Sequence, residues 1–338
     1  MNEPQHPSGT KFFVGAYAAA PSLQGWNPAS EGKFLADVLA LDGVAGLEIP
    51  FTGALHKNDE PWFLQQLPAT AEYIVTTIPG TAARLQADPA FGLGSTSAAG
   101  RKAAVEFAGE ALDAAHRLSA HTGGSGVRVL ELHAAPVADG GRTSVSALTD
   151  SLTEISAWDW QGVQIVLEHC DAFTPGRPFA KGFMTLEAEV EAVSRANDLT
   201  GRSVKLGINW GRSVIEQRRA GAAVEHIRFL RQAGLLGGLV LSGCSDAETR
   251  FGPAWADVHV PPAPPQTGGS EPRAYALSGV LEPASLMTAD SIRDCLAAAG
   301  TDHRTGVRGI KVAAPPHATV DERVDVIAQT LAIARQCA

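Results

Sequence analysis

A closed (β/α)8 barrel, the TIM-barrel member of the α/β class, is the fold that the sequence predicts. Three observations point to it. Eight short runs rich in Val, Ile and Leu recur along the chain. Apolar positions with a helical period lie between most of them, and strand alternating with helix eight times closes a parallel barrel. The rival fold, an open doubly wound sheet, usually carries a glycine-rich phosphate turn after its first strand; here AAAPSLQGWNPAS follows instead.

The expected strands are KFFVGAY (11–17), VAGLEIPF (44–51), YIVTTIP (73–79), VRVLELHA (127–134), GVQIVLEHC (162–170), VKLGINW (204–210), GGLVLSG (237–243) and RGIKVAA (308–314). Helical patterns are expected over 99–119, 186–198, 213–233 and 319–336. Two connections read as long loops, 78–98 after the third strand and 243–283 after the seventh, where barrel active-site loops lie. Residues 1–10 read as a polar tail, and 11–338 as a single barrel domain.

Composition narrows the functional classes. The chain has 338 residues, 45% of them hydrophobic, and a formal net charge of -9. It is long enough for a large core, so disorder and a disulfide-stapled mini-fold are excluded. The acidic balance argues against a nucleic-acid groove, and no apolar stretch reaches the roughly 20 residues of a membrane span. The first residues lack the layout of an export signal, so a cytoplasmic location and reduced thiols are expected. The four cysteines, Cys170, Cys244, Cys295 and Cys337, form no CxxC or zinc pattern. Cys295 and Cys337 read as small apolar filler. Cys170, at a strand tip among charged residues, is a candidate reactive thiol.

Strand parity then selects the inward side chains. A parallel barrel strand shows apolar residues to its helices. Leu47 and Ile49 therefore face outward and Glu48 inward. Leu130 and Leu132 face outward, so Glu131 and His133 face inward. The same alternation turns Gln164, Val166, Glu168, Asn209 and Lys311 to the axis and places His169 on the helix side or in the turn. Glu48, Glu131, His133, Glu168, Asn209 and Lys311 thus collect near strand C-termini. Buried charges need partners or a polar cavity, and a ring of them at this end predicts a functional pocket.

These strand ends resemble the xylose-isomerase-like TIM barrels, a superfamily of sugar isomerases, sugar epimerases and endonuclease-IV-like enzymes. GLEIPF resembles the family's second strand, with Glu48 as its acidic residue. IVLEHCD resembles its fifth strand, whose metal-binding Glu falls on Glu168, and GIKV its last. SGCSD, WADVHVP and LEPASLMT resemble a bacterial branch that carries a domain-of-unknown-function label. The resemblance implies sugar isomerase or epimerase chemistry and a divalent metal held by Glu, Asp, His and Glu on strands five to eight. Here Glu168 is kept, but the sixth, seventh and eighth positions fall on Asn209, Ser242 and Lys311. The His expected three residues after the sixth falls on Arg212.

The expected chemistry is proton transfer beside a carbonyl, on a sugar or sugar phosphate. Glu168 is the expected base and Lys311 the electrophile, with Glu131 as a further catalytic carboxyl. Glu48, His133, Asn209, Arg212, Trp210, Asp257 and His259 are expected to bind substrate, with Trp26 a second candidate wall of the pocket. Trp255, Asp257 and His259 share one side of an extended segment and suit a sugar ring. Arg212, Arg250 and Arg273 are candidates for a phosphate or carboxylate. An alternative metal set is Glu168, His133 and Asp171, although turn capping is the plainer role for Asp171. Three other functions remain open: a lyase or hydrolase on the same scaffold, a Schiff-base aldolase using Lys311, and a non-catalytic sugar-binding barrel. Homo-oligomerisation through the outer helices rests on the resemblance.

Overall fold

The computed structural model describes residues 10–123, 126–265, 279–300 and 306–338. Residues 1–9 of the expected tail, Arg273 and part of the Pro-rich stretch lie outside them. The strands are β1 (Phe12–Val14), β2 (Val44–Pro50), β3 (Glu72–Thr76), β4 (Val127–Leu132), β5 (Gln164–His169), β6 (Lys205–Asn209), β7 (Leu236–Leu241) and β8 (Val307–Ile310). They form a closed parallel barrel in chain order, with β1 paired to β8 through Phe13↔Gly309 and Val14↔Ile310. All eight expected strands are present. Several are shorter than the apolar runs, because ladder hydrogen bonding stops before the residues that turn into the mouth.

The helices are α1 (Pro28–Leu39), α2 (Glu60–Gln65), α3 (Ile78–Ala87), α4 (Ala98–His121), α5 (Val145–Ser156), α6 (Leu186–Thr200), α7 (Trp210–Gln217), α8 (Ala222–Gln232), α9 (Ala289–Ala299) and α10 (Val320–Cys337). Local chemistry starts most of them. Asn27, Asp59, Ser97, Ser144 and Thr185 each accept a first-turn backbone N–H, and Thr288 and Thr319 build reciprocal capping boxes.

Two expectations are corrected. Residues 78–98 are not a simple loop: α3 begins at Ile78, with Pro79 in its first turn, where the missing N–H is harmless. The single helix expected over 213–233 is two. α7 stops because Arg218 takes a left-handed conformation at φ 54°, and α8 restarts at Ala222.

The core has two parts. The larger fills the space between barrel and helices and holds Leu47, Ile49, Leu130, Leu132, Ile165, Leu167, Leu206, Ile208 and Ile310. The smaller lies inside the barrel, where Phe13, Ile74, Val129 and Val166 pack together. This apolar plug fills the lower barrel, so polar inward residues further along the strands have only the C-terminal mouth to occupy. At Gly46 a Cβ would come within 1.6 Å of the Glu72 carbonyl oxygen, so β2 and β3 need glycine to approach there. Among the described residues no helix is long and apolar enough to cross a membrane.

Candidate active site at the barrel mouth

Above the plug the strand ends deliver a ring of charge. Glu48 from β2 and Lys311, just past β8, form an ion pair of 2.7 Å, both buried. Tyr17, beyond β1, donates to Glu48 Oε1 at 3.0 Å, and Lys311 Nζ lies 3.1 Å from its hydroxyl. Gly15 makes room for this arrangement, since a Cβ there would sit 2.8 Å from Lys311 Cγ. Burial alone would strip the proton from Lys311. The Glu48 charge, Tyr17 and Glu168 hold its ammonium well above the ordinary lysine range.

Glu168 is the most heavily bonded carboxylate. Its Oε2 accepts from Arg212 Nη1 at 2.6 Å and from His133 Nε2 at 2.8 Å, and its Oε1 accepts from Asn209 Nδ2 at 3.2 Å. Burial opposes ionisation, but Arg212, Lys311 and His133 hold the carboxyl well below its usual range. Burial first, against the Glu168 bond, lowers the His133 pKa, so the imidazole is neutral. An ionised carboxylate only accepts, which makes Nε2 of His133 the donor. Thr77 Oγ1 lies 3.1 Å from the other ring nitrogen.

Glu131 stands apart from these pairs. It is buried, and its Oε2 has no hydrogen-bond partner among the described residues. Burial, then the Glu168 and Glu48 charges, raises its pKa well above the carboxyl norm. Of the ring carboxyls whose proton affinity is displaced, Glu131 is the one that binds its proton more tightly.

The loop after β7 folds back over the mouth, held by the antiparallel pair Gly243↔Val260. It brings Asp257 Oδ2 to 3.2 Å from Arg212 Nε and 3.1 Å from Lys181 Nζ, and His259 Nδ1 to 2.8 Å from Ser242 Oγ. Arg212, Lys181 and His259 hold Asp257 well below its usual range against burial. Burial pushes His259 down to about 4, so it too is neutral.

The structure therefore brings Glu48, Glu131, His133, Glu168, Asn209, Arg212, Asp257, His259 and Lys311 to one mouth, and separates others from it. Trp210 is fully buried in the outer core at the start of α7, beside Cys295 of α9, and does not wall the pocket. Trp26 lies in a rim cluster, its ring centroid 6.0 Å from that of His56 and 5.9 Å from that of Trp62. Arg250 Nη2 donates to the carbonyls of Gly279 and Leu281, tying the loop to itself. Cys170 is buried, and burial raises its thiol pKa, so the reactive-thiol expectation fails. The raised Lys311 pKa likewise opposes a Schiff-base role, which needs a neutral amine.

The expected metal set does not assemble. Asp171 takes backbone N–H groups of Ala180, Lys181 and Gly182, at 2.7 to 3.3 Å, and closes the loop after β5. Where the resemblance implies four ligands, Glu168 is bonded to a guanidinium and the other positions are Asn209, Ser242 and Lys311. Among the described residues no group of three or more His, Cys, Asp or Glu is placed to hold a metal ion. The donor set does not fit a divalent cation.

Sequence reasoning missed Tyr17, Thr77 and Lys181. For Tyr17 a signal existed: Phe13 faces the axis, and the alternation in KFFVGAY carries 15 and 17 to the same side.

On the opposite face of β5, His169 lies between two helices. Its Nδ1 is 2.7 Å from Glu189 Oε2 of α6, and its Nε2 is 3.0 Å from Glu216 Oε2 of α7. Burial would lower its pKa, but the two carboxylates raise it to about 10. Against its own burial, His169 holds Glu216 down to about 2, whereas burial raises the pKa of Glu189. Glu216 also accepts the Ala172 N–H at 2.9 Å.

Residues 13–326 match the family described as "Domain of unknown function (DUF4862)". Over 324 residues the chain is 32% identical to "Uncharacterized protein STM3670" of Salmonella typhimurium strain LT2, covering 94% of each. Among solved structures, a D-tagatose 3-epimerase-like protein superposes with a TM-score of 0.56 at 15% identity, over 97% of this chain and 99% of that one. D-psicose 3-epimerase from Clostridium cellulolyticum H10 superposes with a TM-score of 0.53 at 17% identity, over 97% and 96%. The fold is the one these sugar-epimerase barrels share, as the strand ends implied.

Proposed function

The chain belongs to the DUF4862 family, and from that premise we propose that it is a sugar or sugar-phosphate isomerase or epimerase that moves a proton at the carbon beside a carbonyl. One observation carries the reading. Two cations held charged, Lys311 and Arg212, share a mouth with a carboxyl of raised proton affinity, Glu131. The fold likeness to proteins named as ketose epimerases supports it.

Removing a proton beside a carbonyl puts negative charge on the carbonyl oxygen. A fixed cation in a water-poor site stabilises that charge. Lys311 serves, its ammonium aligned by Glu48 and Tyr17. Glu131 carries the proton, since a carboxyl whose proton affinity is raised is a stronger base than an ordinary one and can return the proton it takes. This moves the proton-transfer role from Glu168 to Glu131. Glu168, ionised and triply bonded, is a weak base; it orients Arg212, His133 and Asn209. Neutral His133 and His259 bind sugar hydroxyls. No step is assigned to a metal.

The test is hydrogen exchange. Incubation in D2O with a panel of ketoses, aldoses and their phosphates, followed by proton NMR, is expected to show deuterium entering next to the carbonyl of at least one sugar. A protein that binds a sugar but exchanges no proton on any of them is a binding barrel instead.

A further inference from the structure

Arg218 is one of five non-glycine residues with positive φ among those described; the others are Gln161, Trp255, His259 and His317. Strained backbone of this kind gathers at functional sites. Here Arg218 and Trp255 meet: the guanidinium carbon lies 4.7 Å from the Trp255 ring centroid. Arg218 Nη2 donates to the Pro178 carbonyl at 2.7 Å, whereas Nη1 is buried with no partner among the described residues.

A second guanidinium lies close by although the chain is acidic. Arg177 reaches the same end of α7, donating to the Glu216 carbonyl at 2.6 Å, and its charge adds to burial in lowering the Arg218 pKa. The nearby carboxylates are committed elsewhere: Asp257 is divided between Lys181 and Arg212, Asp171 holds three backbone N–H groups, and Glu216 faces His169. A buried N–H without an acceptor, beside a repelling guanidinium, is unfavourable until an anion arrives.

We propose that Arg218 and Arg177 form a subsite for a phosphate monoester at the substrate's far end, with Trp255 holding the Arg218 guanidinium flat. Two guanidiniums from separate segments, each with several N–H donors, suit a tetrahedral dianion better than a planar carboxylate. This deepens the isomerase reading by making the substrate a sugar phosphate, and it rests on that reading for the sugar.

Calorimetry with inorganic phosphate, D-fructose 6-phosphate, D-fructose and D-glucuronate tests it. Inorganic phosphate and the sugar phosphate are expected to bind, and Arg218→Asn to weaken both by at least roughly tenfold. Asn tolerates the left-handed backbone, so folding should persist. Arg177→Gln, at an exposed position, is expected to weaken both less. Phosphate that does not bind, or binds equally to Arg218→Asn, overturns the subsite, as does preference for the carboxylate. Phosphate binding lost in Arg218→Asn, with no proton exchange on any sugar, keeps the subsite and removes the isomerase reading. Exchange on neutral ketoses, indifferent to phosphate, does the reverse.

Discussion

Glu168 and His169 are neighbours in the chain, yet β5 sends them to opposite faces and into different kinds of charge cluster. On the outer face, His169 bonds one carboxylate from α6 and one from α7, and so fastens two helices to a strand. On the inner face, Glu168 belongs to a ring drawn from the ends of most barrel strands. The ladder already ties those strands together, so the ring adds little connection that the barrel lacks. Each cluster has a buried carboxyl oxygen without a partner among the described residues, Glu189 Oε1 outside and Glu131 Oε2 inside. An orphaned oxygen is therefore not by itself a sign of function. What distinguishes the inner one is its company, two charged cations above an apolar plug at an end of the barrel built from loops.

Single substitutions are expected to make each cluster fail separately. Glu131→Gln replaces a carboxyl of raised proton affinity with a neutral group of the same shape. Exchange activity is expected to fall roughly 10²- to 10⁴-fold, with the unfolding midpoint kept. Undiminished exchange would remove Glu131 as the proton carrier. His169→Gln is expected to do the opposite. Breaking a buried ion cluster costs about 3–5 kcal/mol, read by urea denaturation, while activity per folded molecule survives. A variant of unchanged stability would show that the outer cluster is not the clamp its geometry describes.

A smaller effect sharpens the contrast through pH. His169 has its folded pKa raised to about 10 from 6.5. Its contribution is complete below about pH 6.5 and is lost as pH rises toward 10, with a slope of at most about 1.4 kcal/mol per pH unit. Stability measured across that window should decline more steeply in the wild type than in His169→Gln. Equal slopes would place the His169 proton elsewhere.

Much of this was legible before the structure. Short runs rich in Val, Ile and Leu located eight strands, and period-two alternation turned Glu48, Glu131, His133, Glu168, Asn209 and Lys311 inward, because a barrel strand has only two faces. The same rule sends Trp210 outward, next after inward Asn209, and applying it would have kept Trp210 out of the pocket. The two-helix break was hidden because Val214, Ile215, Val224 and Ile227 keep a helical period across it, and only Gly221 marks a turn. α3 was hidden because Pro79 reads as the end of an apolar run although it suits a helix's first turn. The pairings themselves were not legible. Arg212 with Glu168, and Asp257 with Arg212 and Lys181, depend on how loops close over the mouth, and local pattern carries no such distance.

Lys311 also sits where the barrel closes. Its stem lies over Gly15 just past the first strand, its backbone bonds to β7 through Leu241, and its ammonium reaches Glu48 on the second strand. The residue proposed to stabilise the developing negative charge therefore sits at the seam where the cylinder zips shut. On the proposed reading, a chain with every strand formed but that seam open would lack its electrophile, and activity would appear only with the closed barrel. Two fragments divided between β4 and β5 should each be inert alone and regain function only by reassembling the whole circle.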